Sequence, residues 1–149
     1  MRIGIVQFCP AFGQIDANIE RAAHLIQKTD ADLILLPELF NTGYVFLESD
    51  NMDDYAEPPD GKTLSTMAQL ASQTDKAIAG GFAEKSSGKH YNSQFLVTPE
   101  GDVNIYRKIH LFDREKLFFQ PGDLPPRPFE WRGVLIGQLI FFDWIFPEV

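Results

Sequence analysis

The sequence predicts an α/β fold, and three observations carry that prediction. Short apolar runs rich in β-branched residues alternate with stretches whose apolar positions recur at helical spacing. Gly and Pro clusters punctuate the two kinds of segment. At 149 residues, with 44% hydrophobic and 23% charged side chains, the composition is that of one ordinary globular domain.

Ile3 to Phe8 reads as a buried strand, bounded by Pro10 and Gly13. Asp16 is placed to cap a helix whose Ile19, Ala22, Ala23 and Ile26 share a face and whose last turn is basic at Lys28. Leu33 to Leu36 is a second apolar run, too short for a helix. This strand–helix–strand start predicts a parallel pair joined by a right-handed crossover. Residues 41–60 read as a loop, with Gly43, Pro58, Pro59 and many acids. Thr63 to Thr74 is amphipathic through Leu64, Met67, Ala68, Leu70 and Ala71, and Ala77 to Ala83 follows as a strand. Tyr91 to Val97 and Val103 to Tyr106 flank a turn sequence, Thr98-Pro99-Glu100-Gly101-Asp102, and read as a hairpin. A Pro-rich loop, Pro121 to Pro128, leads to a last strand region over Trp131 to Phe142. Residues 1–149 are expected to form a single domain, incomplete at the C-terminus because an apolar strand with no covering helix lies just before Val149.

Charge and composition exclude several classes. Thirteen basic against 21 acidic side chains leave a net charge of −8, the wrong sign for a nucleic-acid footprint. No apolar run of about 18 residues and no signal-peptide pattern occurs, so a cytoplasmic protein without a membrane span is expected. The single cysteine, Cys9, excludes an internal disulfide and a multi-cysteine metal site, and reads as a buried structural thiol. His24, His90 and His110 lack metal-ligand spacing, and His110 reads as structural. Gly61-Lys62-Thr63 ends like a phosphate-binding loop, but Ala56 stands where the first glycine belongs, and Pro58 and Pro59 remove amides that would cradle phosphate. The loop after the first strand holds only one glycine, Gly13, which argues against a nucleotide-binding domain.

Two segments carry chemistry. Leu33-Ile34-Leu35-Leu36-Pro37-Glu38 sets a carboxylate just past the end of a buried strand, the edge where open α/β sheets bind ligands. A carboxylate partly removed from water has a raised pKa and can act as a base near neutrality. Tyr106-Arg107-Lys108 puts a lysine at a strand end, where a fixed positive charge can hold an oxyanion. Taken singly, Glu38 also reads as a loop acid, Lys108 as a solvated terminus, and Asp113-Arg114-Glu115-Lys116 as a charged surface turn.

Together these segments resemble the nitrilase superfamily of carbon–nitrogen hydrolases. Leu35-Leu36-Pro37-Glu38-Leu39-Phe40 is similar to its glutamate motif and Tyr106-Arg107-Lys108-Ile109-His110-Leu111-Phe112 to its lysine motif. Glu115 falls where many members keep a second glutamate, and Gly137 to Glu148 resembles the segment of the nucleophilic cysteine, with Phe141 at the cysteine position. Ile5-Val6-Gln7 and Phe119-Gln120-Pro121-Gly122-Asp123 also fit.

The resemblance implies a four-layer α-β-β-α sandwich, usually in homo-oligomers, acting on a small amide, nitrile or carbamoyl substrate with no metal or organic cofactor. It implies a base at Glu38, an oxyanion-holding cation at Lys108 and a supporting acid at Glu115. It also implies that this chain, with a phenyl ring at 141 filling the pocket and the second half of the domain missing, is inactive. A non-catalytic binding or assembly module of the same fold is the alternative.

Overall fold

A computed structural model describes residues 1–149. Five strands form one sheet in the order β1 (Ile3–Ile5), β2 (Leu33–Leu35), β3 (Ala77–Ser86), β4 (Lys89–Val97) and β5 (Val103–Arg107). The first three are parallel and the last three antiparallel. Helices α1 (Ile15–Lys28) and α2 (Lys62–Thr74) make the two crossovers between parallel strands, as the alternating pattern predicts.

The helices lie over one face of the sheet, where Ile19, Ala22 and Ile26 of α1 and Leu64, Met67, Leu70 and Ala71 of α2 meet Ile34, Ile78, Phe82 and Phe95. Burying such side chains stabilises a domain by about 1.5–3 kcal/mol each before entropy is counted. The other face is covered in part by a hairpin of β6 (Phe129–Trp131) and β7 (Val134–Ile136), whose Trp131 packs on Leu33, Ala77, Ala79 and Leu96. Ile3 and Ile5, which pair with Leu33 and Leu35 on that face, are exposed. A third cluster, Leu39, Phe46, Met52, Ala83, Leu111 and Phe119, ties the long loop after β2 to the segment after β5.

Four sequence readings are corrected. Helix α1 starts at Ile15, so Asp16 lies in its first turn and does not cap it. The strand from Ala77 runs on to Ser86 and turns through Ser87 and Gly88, both at positive φ, straight into β4. Ladder bonds extend this hairpin past the core, where polar Glu84, Lys85, Lys89 and His90 hide it from an apolar pattern. The last strand region is two short strands, because Arg132 and Gly133, also both at positive φ, reverse the chain between them. Cys9 is exposed, since β1 ends at Ile5 and leaves it in a loop.

One glycine in β3 decides where the loop after β2 can sit. A Cβ on Gly81 would stand 2.5 Å from the Leu39 nitrogen and 2.7 Å from the Glu38 Cα. The bare backbone instead bonds that loop on both sides, Gly81 N–H to the Pro37 carbonyl at 3.1 Å and Phe40 N–H to the Gly81 carbonyl at 2.9 Å. Gly81→Ala is therefore expected to lower stability by about 1–3 kcal/mol through overpacking and to displace Glu38, read by urea denaturation and by the backbone shifts of residues 37–40.

Candidate active site

Glu38, Lys108 and Glu115 are 70 and 7 residues apart in the chain, yet their side chains meet. Lys108 follows β5 directly, and its backbone N–H donates to the Asn92 carbonyl on β4 at 2.9 Å. Its side chain is fully buried, with Nζ 2.8 Å from Glu38 Oε1 and 2.8 Å from Glu115 Oε1. An unpaired buried ammonium would cost several kcal/mol, so the two carboxylates are what allows a lysine here.

Glu115 owes its place to a 3₁₀ turn, Asp113–Leu117. Its Oε2 accepts the Phe112 N–H at 2.7 Å, while Oε1 accepts from Lys108 and from the Tyr44 hydroxyl at 2.5 Å. Burial, and then the neighbouring Glu115 carboxylate, pushes the Tyr44 phenol well above its ordinary range, so it stays a donor. The turn read from sequence as a surface ion cluster thus points one acid inward: Glu115 is buried while Asp113, Arg114 and Lys116 are exposed.

Sequence reading missed Asn92. This fully buried residue of β4 donates from Nδ2 to Glu38 Oε1 at 2.7 Å and to Glu115 Oε1 at 3.2 Å, while its Oδ1 has no hydrogen-bond partner. An orphaned buried acceptor costs about 1–3 kcal/mol. The only sequence signal was a polar Tyr91-Asn92-Ser93 step within a strand otherwise facing the core.

Glu38 is the open member of the group. Both its hydrogen bonds fall on Oε1. Desolvation by burial raises its pKa; the Lys108 and Asn92 hydrogen bonds oppose this, and Glu115 adds to it. Two carboxylates share one ammonium, so a proton on Glu38 makes the trio neutral.

Phe141 opens a second 3₁₀ turn, Phe141–Ile145, at φ +33, a conformation that costs a bulky residue about 1–3 kcal/mol. Buried Asp143 holds this turn against the end of β5: it accepts the Tyr106 hydroxyl at 2.7 Å, the His110 N–H at 2.8 Å and the Ile140 N–H at 3.4 Å, and lies 3.0 Å from His110 Nδ1. The His110 ring stacks on that of Phe146.

The phenyl ring does not fill a pocket as the sequence reading expected. It is 60% exposed, with Lys108 Nζ 5.7 Å from its centroid. It forms one wall of a cavity of about 190 Å³ shared with Glu38, Gly81, Gln94, Leu139 and Ile140. A larger apolar cavity of about 380 Å³, walled by Leu39, Val45, Phe46, Phe112 and Phe118, lies against Tyr44 and Glu115. Glu38 and Phe141 both line the smaller cavity. The larger adjoins it through Phe112, whose ring is 6.0 Å from that of Phe141. No group of three His, Cys, Asp or Glu side chains is arranged to hold a metal ion.

A folded-state pKa above the unfolded one means the native protein binds the extra proton. Stability linked to Glu38 is therefore full below the ordinary carboxylate value and falls as pH rises through the raised one. Glu38→Gln should remove that decline, so the stability difference between variant and parent in urea should grow in the variant's favour from pH 4 towards neutrality.

The family model for carbon–nitrogen hydrolases matches residues 2–149. A nitrilase of Pyrococcus abyssi is 41% identical over 152 residues, covering 99% of this chain and 58% of the relative. An (R)-stereoselective amidase of a Pseudomonas species is 40% identical over 150 residues, covering 99% of this chain and 54% of the relative. The crystal structure of a CN-hydrolase superfamily protein from Xanthomonas campestris superposes with a TM-score of 0.89 at 28% identity, over 99% of this chain and 55% of that one. The chain thus spans a little over half the length of these relatives. Matched along its length by the family model and sharing the nitrilase-type fold, the chain belongs to the carbon–nitrogen hydrolase family, the nitrilase superfamily.

Proposed function

We propose that this site is built for hydrolysis of a non-peptide carbon–nitrogen bond by a nucleophile at position 141, and that Phe141 leaves the chain without turnover. The observation that carries the reading is the convergence of Glu38 and Glu115 on Lys108 beside a strained turn that begins at residue 141. A turn of this kind raises its first side chain out of the surrounding backbone, as a nucleophile requires.

A cysteine at 141 would supply the nucleophile. Glu38 takes the thiol proton and the sulfur attacks the carbonyl carbon of an amide. The carbonyl electron pair moves to oxygen, where the Lys108 ammonium and the Phe142 N–H, which the first turn leaves without an intrahelical partner, stabilise it. The C–N bond breaks as Glu38 returns its proton to the departing amine. Water, deprotonated by Glu38, then cleaves the thioester. Glu115 keeps Lys108 and Tyr44 in place. The same steps suit a carbamoyl carbon; a nitrile carbon needs one water more, because sulfur attack gives a thioimidate to which water must add before ammonia leaves and the thioester forms.

The apolar cavity beside Glu115 supports a substrate with a bulky apolar substituent. Exposed Ile3 and Ile5 support a complete domain in which another layer covers this face. A homo-oligomer in the cytoplasm, where a thiol stays reduced, completes the reading.

A phenyl ring has no lone pair to attack with, and that favours a second reading as a non-catalytic binding module. The two are separated by Phe141→Cys. In the isolated chain the new thiol should be alkylated by iodoacetamide at least about tenfold faster than Cys9, a gain lost in Lys108→Ala. Joined to the complementary half of the Pyrococcus abyssi relative, Phe141→Cys should release ammonia from small amides, aryl or branched-alkyl amides ahead of acetamide. The Phe141 form should be slower by about 10⁶. A folded protein that releases none from any amide or nitrile, while the Phe141 form binds amides unaided, would establish the binding module instead.

A further inference from the structure

We propose that Asn92 is a positioning residue of this site: its single amide nitrogen bridges the Glu38 and Glu115 carboxylates that share one ammonium and thereby sets how tightly Glu38 holds a proton. The name "base" for Glu38 rests on the functional reading above; the positioning itself does not.

Three observations carry this. First, Asn92 grips Lys108 from both ends. Its backbone carbonyl accepts the Lys108 N–H at 2.9 Å, and its Nδ2 donates to the same Oε1 atoms of Glu38 and Glu115 that Lys108 Nζ contacts. Second, its orientation is imposed. Carboxylates only accept hydrogen bonds, so the amide nitrogen must face them and the oxygen must turn away. The oxygen ends buried without a partner, a cost that a residue placed for stability alone would avoid. Third, the donors are divided unequally. Glu115 accepts from Lys108, Asn92, Tyr44 and the Phe112 N–H over both oxygens, whereas Glu38 accepts from Lys108 and Asn92 on Oε1 alone.

Donors to the charged form hold a carboxylate ionised. Glu115, with four, has donors on both of its oxygens. Glu38, with two and a free oxygen, remains able to bind and release a proton beside residue 141, with which it shares a cavity. The ionisable groups facing Glu38 are Lys108, Glu115 and Tyr44. Asn92 adds a donor to this group without adding charge. Aspartate in its place would bring a third negative charge, and leucine would bring no donor.

The test reads carboxylates directly in the 149-residue chain, by ¹³C-detected NMR titration of the Glu38 and Glu115 side chains, and needs no turnover. Asn92→Ala should raise the Glu38 midpoint further, by about one pH unit, a tenfold gain in proton affinity. Asn92→Asp, nearly identical in shape, should raise it more. Asn92→Ser, which keeps a donor, should move it less than alanine does. Backbone shifts of β3 and β4 should stay at their parent values. Folded variants whose Glu38 and Glu115 midpoints match the parent would overturn the proposal, and so would failure of all three to fold, since Asn92 would then be needed for the strand alone. Failure of hydrolysis in Phe141→Cys would leave these shifts unaffected, so the two readings fail separately.

Discussion

A fully buried ammonium sets the terms for the rest of this molecule. Lys108 leaves the end of β5 and points into protein, where Glu38 and Glu115 each place an oxygen 2.8 Å from its nitrogen and offset the cost of burying an ammonium. Those carboxylates come from loops, which must be steered inward against their preference for water. Gly81 lets the first loop lie against β3, and the 3₁₀ turn at Asp113–Leu117 aims the second. The sheet supplies the frame, because β3, β4 and β5 bring the Pro37–Phe40 loop, Asn92 and Lys108 to one end of adjacent strands.

The 3₁₀ turns at Asp113–Leu117 and Phe141–Ile145 solve one local problem twice. Each begins with a residue at positive φ, Asp113 in one and Phe141 in the other, and each has an acid two residues later that accepts the N–H just before the turn. In the first, Glu115 has an oxygen left over for Lys108. In the second, Asp143 spends its remaining capacity on Tyr106 and His110, which lock the turn to the strand end. An aspartate tolerates positive φ readily, a phenylalanine poorly. The strain at 141 is thus retained with a side chain that gains little from it, exposed and in edge contact with Phe112.

Charge balance makes the members of the trio unequal. Two acids around one cation carry a net negative charge in a desolvated place, and burial raises the proton affinity of Glu38.

The sequence by itself determined the strand–helix–strand frame, both amphipathic helices and the β4–β5 hairpin, and the family resemblance of its motifs pointed to Glu38, Lys108 and Glu115, whose side chains meet in the structure. Side-chain periodicity is a local property, and motif order survives folding, so both are legible in one dimension. The β3–β4 and β6–β7 turns were not, because at Ser87-Gly88 and Arg132-Gly133 the chain is directed by backbone dihedral angles and ladder bonds rather than by apolar patterning. Nor was the burial of Glu115 within a charged run, the role of Asn92, or the exposure of Cys9 and Phe141. Each depends on which atoms distant parts of the chain bring within hydrogen-bonding reach, and only the tertiary structure decides that.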